Sequence, residues 1–165
     1  ILGHPNSRFG LGTKVRVGIE TGGREVSLYP ELSIPVAARV ATERGNNRMI
    51  AVYSDAVRSY SDTLVSDITL ICAGVHVFHT PYIRSSYVGA GALVDSAQGV
   101  EASVILSSER EPTEISSGAY IRRSVVQWGS KITKTAMVDE SAILERSYIG
   151  RHAKVTSSII GPSSG

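Results

Sequence analysis

The 165 residues carry a formal net charge of +2, with 17 basic and 15 acidic side chains scattered along the chain, which excludes the dense Lys/Arg block of a nucleic-acid footprint. A single cysteine, Cys72, excludes an intrachain disulfide, no Cys/His spacing suggests a metal site, and no run approaches the roughly 18 apolar residues of a membrane-spanning helix. Neither nucleic acid nor membrane is expected as a partner, and a reducing, cytoplasmic setting fits. The chain opens on Ile1 and stops in mid-pattern at Gly165, so it reads as a fragment, and its C-terminus is expected to pair with another chain or to be disordered.

Residues 1–26 read as the first coil or coils of a β-helix. Phe9 and Val15 stand six apart, with Thr13 in the small-residue slot between them. Within that segment Gly10-Leu11-Gly12-Thr13-Lys14 is similar to the GxGT(R/K) stretch by which sugar nucleotidyltransferases hold a phosphate. That role needs a strand before and a helix after, whereas here Val15-Arg16-Val17 continues as strand, so the segment reads as a repeat corner. Further on, Gly22-Gly23-Arg24-Glu25 sets two glycines before an Arg-Glu pair. Backbone amides and a guanidinium there suit an anion, which makes these four residues candidate substrate-binding groups. A tight turn with an ordinary salt bridge is the competing account.

Residues 27–66 change to a helical period. A first helix is expected from about Ile34 to about Glu43, capped by Ser33, with Pro35 in its first turn and Gly45-Asn46-Asn47 as its stop. In the second, Met49, Val52, Tyr53, Ala56, Val57 and Tyr60 form one continuous apolar stripe. That stripe needs a partner: the first helix, a flat face of the β-helix, or a second copy of the chain.

Residues 67–165 carry the main repeat. Aliphatic residues recur at near-hexad steps, as in Ile71, Val77, Ile83, Val88, Val94 and Val100, a period that is neither 3.6 nor 2. A small residue lies two positions before many of them: Ala92, Ala119, Ala136 and Ala153. Residues i and i−2 of a strand point the same way, so each pair fills a narrow interior. Three sides make a coil, and the equivalent positions Ile71, Val88, Ile105, Val126, Ile143 and Ile160 are separated by 17, 17, 21, 17 and 17 residues. The excess of four coincides with the polar stretch from Ser107 to Thr113, expected as a loop bulging from one corner. Ser86, Ser103, Ser124, Ser147 and Ser158 each open a similar short pattern.

The [LIV]-[GAED]-x-x-[STAV]-x form of these hexads, as in Val88-Gly89-Ala90-Gly91-Ala92-Leu93, resembles the hexapeptide repeats of left-handed β-helices. The implied fold is mainly β: a left-handed parallel β-helix of three-sided coils interrupted by a helical hairpin. Acyltransferases of that fold use a solvent-side histidine, at a groove between subunits, as general base. His76 and His79, which flank Val77 on the solvent side, are the candidate catalytic residues on that resemblance. His152, in a basic corner with Arg151 and Lys154, is a weaker candidate, as is His4 beside Pro5.

Gly18-Ile19-Glu20-Thr21-Gly22-Gly23-Arg24-Glu25-Val26, then Leu28-Tyr29 and Leu32-Ser33, the helical pair and Gly161-Pro162-Ser163-Ser164-Gly165 together resemble bacterial hexapeptide-repeat proteins described as related to UDP-N-acetylglucosamine pyrophosphorylase. The resemblance implies the β-helical portion of a sugar-nucleotide-related transferase, nucleotidyl or acyl, assembled as a trimer, with a sugar nucleotide or acyl-CoA as ligand. It carries no Rossmann-like uridylyl-transfer domain and names no cofactor. The alternative is a non-catalytic module that only builds an oligomer.

Overall fold

A computed structural model of the chain describes residues 1–17, 25–43 and 45–165. From Leu70 onward the chain winds into a three-sided parallel β-helix. One sheet has six strands, Leu70–Ile71, Tyr87–Val88, Val104–Ile105, Val125–Val126, Ala142–Ile143 and Ile159–Ile160. A second runs through His76–Phe78, Leu93–Asp95, Glu114–Ser116, Lys131–Ile132 and Tyr148–Ile149, and a third through Ile83–Arg84, Gly99–Glu101, Tyr120–Arg122, Met137–Asp139 and Lys154–Thr156. Ile71, Val88, Ile105, Val126, Ile143 and Ile160 are successive neighbours in the first sheet, which is the register expected from their spacing. The four-residue excess is the loop at Ser107–Thr113, whose mouth is closed where Thr113 Oγ1 donates to the Leu106 carbonyl at 2.7 Å and the Thr113 amide donates to Ser107 Oγ at 3.0 Å.

The interior is filled by the aliphatics and their small partners. Val94, Ile115, Ile121, Ile132 and Val138 are sealed from solvent, as are Ala92, Ala119 and Ala136. Each buried isoleucine contributes roughly 1.5–3 kcal/mol over an exposed one. Between the third and first sheets the chain must turn within a residue or two. Ser85, Ala102, Arg123, Glu140 and Ser157 do so with φ of 44 to 51°, in the left-handed region, at a cost of about 1–2 kcal/mol each. A stack of serines beside this corner offsets that cost. Ser86, Ser103, Ser124, Ser141 and Ser158 each donate to the carbonyl two residues back, at 2.6 to 2.8 Å. The first four also each accept the next serine's amide at 3.1 Å. Ser147, grouped with this series by its sequence pattern, belongs to a different stack, at the corner between the first and second sheets. There it accepts from the Ser164 amide at 3.4 Å and its own amide donates to Ser130 Oγ at 3.3 Å. The Ser164 carbonyl accepts from the Tyr148 amide at 2.7 Å, so Ser164 runs alongside the second sheet's last strand.

The N-terminal segment departs from expectation. Among the described residues of this segment, Leu2 alone adds a rung to the β-helix: its amide donates to the Ile83 carbonyl and its carbonyl accepts from the Ser85 amide, both at 3.0 Å, on the third sheet. Thereafter β1 (Lys14–Arg16) pairs antiparallel with β2 (Glu25–Ser27), in a two-stranded sheet separate from the three of the β-helix. The Phe9-to-Val15 hexad is therefore no coil. Lys14-Val15-Arg16 alternates about a buried valine, which suits a hairpin lying on another surface as well as it suits a coil side. Gly10 and Gly12, with φ of 78 and 81°, form turns leading into this hairpin instead of a repeat corner. Gly10 sits against the coil so closely that a Cβ there would lie 2.0 Å from the Ala102 carbonyl oxygen.

Helix α1 (Ile34–Thr42) begins after Ser33, as expected, although the Ser33 hydroxyl makes no cap hydrogen bond. In α2 (Asn47–Thr63) the cap is Asn46, whose side chain accepts from the Met49 amide at 3.1 Å. The hairpin, β1 and β2 cover the first sheet. Its outward residues Val104, Val125 and Ala142 are as buried as interior ones, packed under Leu11, Val15, Val26, Leu28, Leu32 and Val40. The stripe on α2 is only partly covered: Val57 is buried, whereas Val52 and Tyr60 are exposed.

Candidate functional site

The histidine pair lies on the outermost described coil of the second sheet, and both rings are exposed. His76 stacks on Phe78, with ring centroids 6.0 Å apart and planes 12° from parallel. His79 holds a corner at φ 45°, and its Nδ1 lies 3.3 Å from Asp95 Oδ1 of the next coil. The Ser96 hydroxyl and then His79 hold the Asp95 carboxyl below its ordinary range. A carboxylate that orients an imidazole is half of a general-base arrangement, but both groups here are open to water, at 80% and 43% side-chain exposure. Val77, between the histidines, is itself 37% exposed. His152 stands at another corner beside Thr135, with its Nδ1 against the threonine hydroxyl.

Of the four residues expected to hold an anion, Gly22, Gly23 and Arg24 lie outside the described residues. Glu25 is described, in β2 directly opposite Arg16. Together with Thr13, Lys14 and Arg16 of the hairpin, and Glu140 and Ser157 of the coil corner, it lines a polar cleft of about 610 Å³. The hairpin places these groups: Val15 and Val26 pack inward, which turns Lys14, Arg16 and Glu25 to the opposite face. On the far wall, Glu140 is bound by the Arg123 guanidinium, and Ser157 Oγ lies 3.5 Å from Glu140 Oε2. Among the described residues no carboxylate lies within ion-pair distance of Lys14 or Arg16. Two cations thus face a cleft in which one of the two carboxylates is already neutralised.

A family model described as a domain of unknown function (DUF4954) matches residues 1–162. The chain belongs to that family. No curated protein and no solved structure matches it. Among the described residues of this DUF4954 chain, no helix is long and apolar enough to cross a membrane.

Lys14 lies in the glycine-rich segment that its continuation as strand assigns to a repeat corner, and Arg16, Glu140 and Ser157 carry no local motif: 124 positions separate Arg16 from Glu140, and docking of the hairpin on the coil brings them together. The signal for the first two is the polar alternation about Val15; Glu140 and Ser157 share one corner column, 17 apart.

Outside the cleft, the third sheet carries alternating charge. Arg84 pairs with Glu101 at 2.7 Å, and Arg122 grips Asp139 with two bonds of 2.9 and 2.6 Å. That fork, ahead of other charges, holds the Asp139 carboxyl below its ordinary value of 3.8. A carboxylate with a depressed native pKa stabilises the fold above its unfolded value, and the effect is lost as pH falls through the native one. Asp139→Asn is expected to lower stability most near neutral pH, with the gap to the unaltered chain closing below pH 3.8. Urea unfolding at pH 7 and at pH 3 checks this; an equal gap at both would assign the loss to packing.

Proposed function

We propose that this chain is the ligand-holding β-helical portion of a transferase acting on sugar nucleotides, by nucleotidyl or acyl transfer. The observation that carries the reading is the polar cleft between the β1–β2 hairpin and the coil corner. Its volume accommodates a nucleoside diphosphate sugar, since ligand sites commonly span about 300–1,000 Å³. Lys14 and Arg16 supply cationic donors for phosphate oxygens, Arg16 in the planar fork that suits bidentate contact. Glu25, Thr13 and Ser157 offer acceptors and hydroxyls for a sugar. In sequence, the connection between β1 and β2 contains Gly22-Gly23-Arg24. His76 and His79 lie on the second sheet, so in this reading they belong to a separate acceptor region and not to the phosphate cleft.

Thermal shift with UDP-N-acetylglucosamine, other UDP-sugars, acetyl-CoA and CoA tests the proposal. At a hundredfold excess over Kd a ligand stabilises by about 2.7 kcal/mol. A UDP-sugar is expected to raise the melting temperature, and the Lys14→Ala/Arg16→Ala variant to lose that shift while melting normally alone. No shift with any of the four, in a chain that light scattering finds trimeric, would overturn the transferase reading in favour of a non-catalytic assembly module.

A further inference from the structure

We propose a second ligand site, for an organic cation with an apolar body, in the aromatic groove between the helical hairpin and the first sheet. A cavity of about 490 Å³ opens there, walled by Phe9, Tyr60, Leu70, Tyr87, Leu106 and Trp128. Its rim carries Glu31, which also borders two adjoining cavities of about 370 and 400 Å³. Across the two cavities that share Pro30, Glu31 and Tyr60, Glu31 is the one charged lining residue among the described residues. Among the described residues it has no cation within ion-pair distance.

The chemistry of that lining selects the occupant. Tyrosine and tryptophan faces attract a cation through the ring quadrupole, most strongly when the cation is poorly hydrated. An acidic group at the rim adds Coulombic attraction and repels anions, so phosphates and carboxylates are disfavoured. A neutral apolar molecule would gain from burial but nothing from Glu31. The groove is held open from both sides: Gln127 ties the turn at Pro30 and Leu32 to the sheet, and the Tyr53 hydroxyl donates to the Ser27 carbonyl at 2.6 Å, fixing α2 over β2. Tyr60, exposed on α2, and Trp128, partly buried beside the first sheet, both line the groove.

Trp128 is the chain's single tryptophan, so intrinsic fluorescence reports this groove without a label. The probe is benzyltrimethylammonium, titrated against neopentylbenzene, its neutral isostere, at equal ionic strength. A saturable change is expected with the cation, with affinity at least about fivefold above the isostere. Glu31→Gln, at an exposed position, should melt as the unaltered chain does, weaken the cation about fivefold or more and leave the isostere unchanged. Equal affinity for the two probes, or an unaltered cation affinity in Glu31→Gln, overturns the proposal and leaves a generic apolar groove. So does the absence of any saturable change. The phosphate cleft is lined by other residues, so the outcome there is independent of this one.

Discussion

Replacing Gln127 by leucine is expected to lower stability by about 2–6 kcal/mol, since it leaves two buried acceptors without donors at about 1–3 kcal/mol each. Gln127 is 4% exposed, and its amide nitrogen donates to the Pro30 and Leu32 carbonyls at 2.8 Å each. Those residues belong to the turn that enters α1, and Leu32 is fully buried. The side chain therefore joins the insert to the sheet across 95 and 97 positions of sequence. Leucine has nearly the same volume and keeps the packing, so the loss isolates the hydrogen bonds. At about 2–4 °C per kcal/mol for a domain of this size, the melting temperature should fall by roughly 4–24 °C. Hydrogen exchange should accelerate first in α1 while the coil interior stays protected. Gln127→Glu should cost more still, because a carboxylate would face two carbonyl oxygens. A shift under about 1 °C for leucine would mean that water satisfies both acceptors.

How far the sequence reveals this molecule depends on which constraint acts. The coil register is legible because every coil encloses the same narrow interior, so Ile71, Val88, Ile105, Val126, Ile143 and Ile160 are selected alike and the loop at Ser107–Thr113 stands out as the exception. The covered face is also written in the sequence, in a contrast that hexad spacing alone does not carry. Val104-Ile105, Val125-Val126, Ala142-Ile143 and Ile159-Ile160 are apolar on both faces, whereas Leu93-Val94-Asp95, Tyr120-Ile121-Arg122 and Met137-Val138-Asp139 are polar on at least one outward position. A side that is apolar inside and out must be roofed, and the stripe on α2 belongs to its roof.

The hairpin of β1 and β2 is not legible for a different reason. Three residues alternating about Val15 satisfy both a coil side and an antiparallel pair, and the choice is settled by contacts distant in sequence, such as Gly10 against the Ala102 carbonyl. The two candidate sites share that dependence. The cleft joins residues 13–16 and 25 to 140 and 157, and the groove joins Glu31 and Tyr60 to Trp128. Each is assembled by docking of the residues that precede Leu70 on the coil, so no local motif announces it. His76 and His79 show the converse: their spacing places them on the solvent side, but it says nothing of the Asp95 partner one coil away.

Ile121→Ala should destabilise the chain by about 2–5 kcal/mol, the range for removing a buried aliphatic where the surroundings relax only in part. Ile121 lies in the middle strand of the third sheet, between Val100 and Val138, with no exposed surface. The coils above and below are held at the strand spacing by ladder hydrogen bonds and cannot collapse into the vacated space. Val155→Ala removes the same kind of side chain from the same column, at the last described coil, where the valine is half-buried. Its loss should cost under about 1.5 kcal/mol, since less transfer energy is forfeited and one side of the cavity is open. In a stack whose stability is a sum of coil and interface contributions, a defect between two sealed coils weakens the interface on each side of it. Urea unfolding of both variants decides the matter. Equal losses would mean that the coils unfold as a single unit in which position along the axis has no influence.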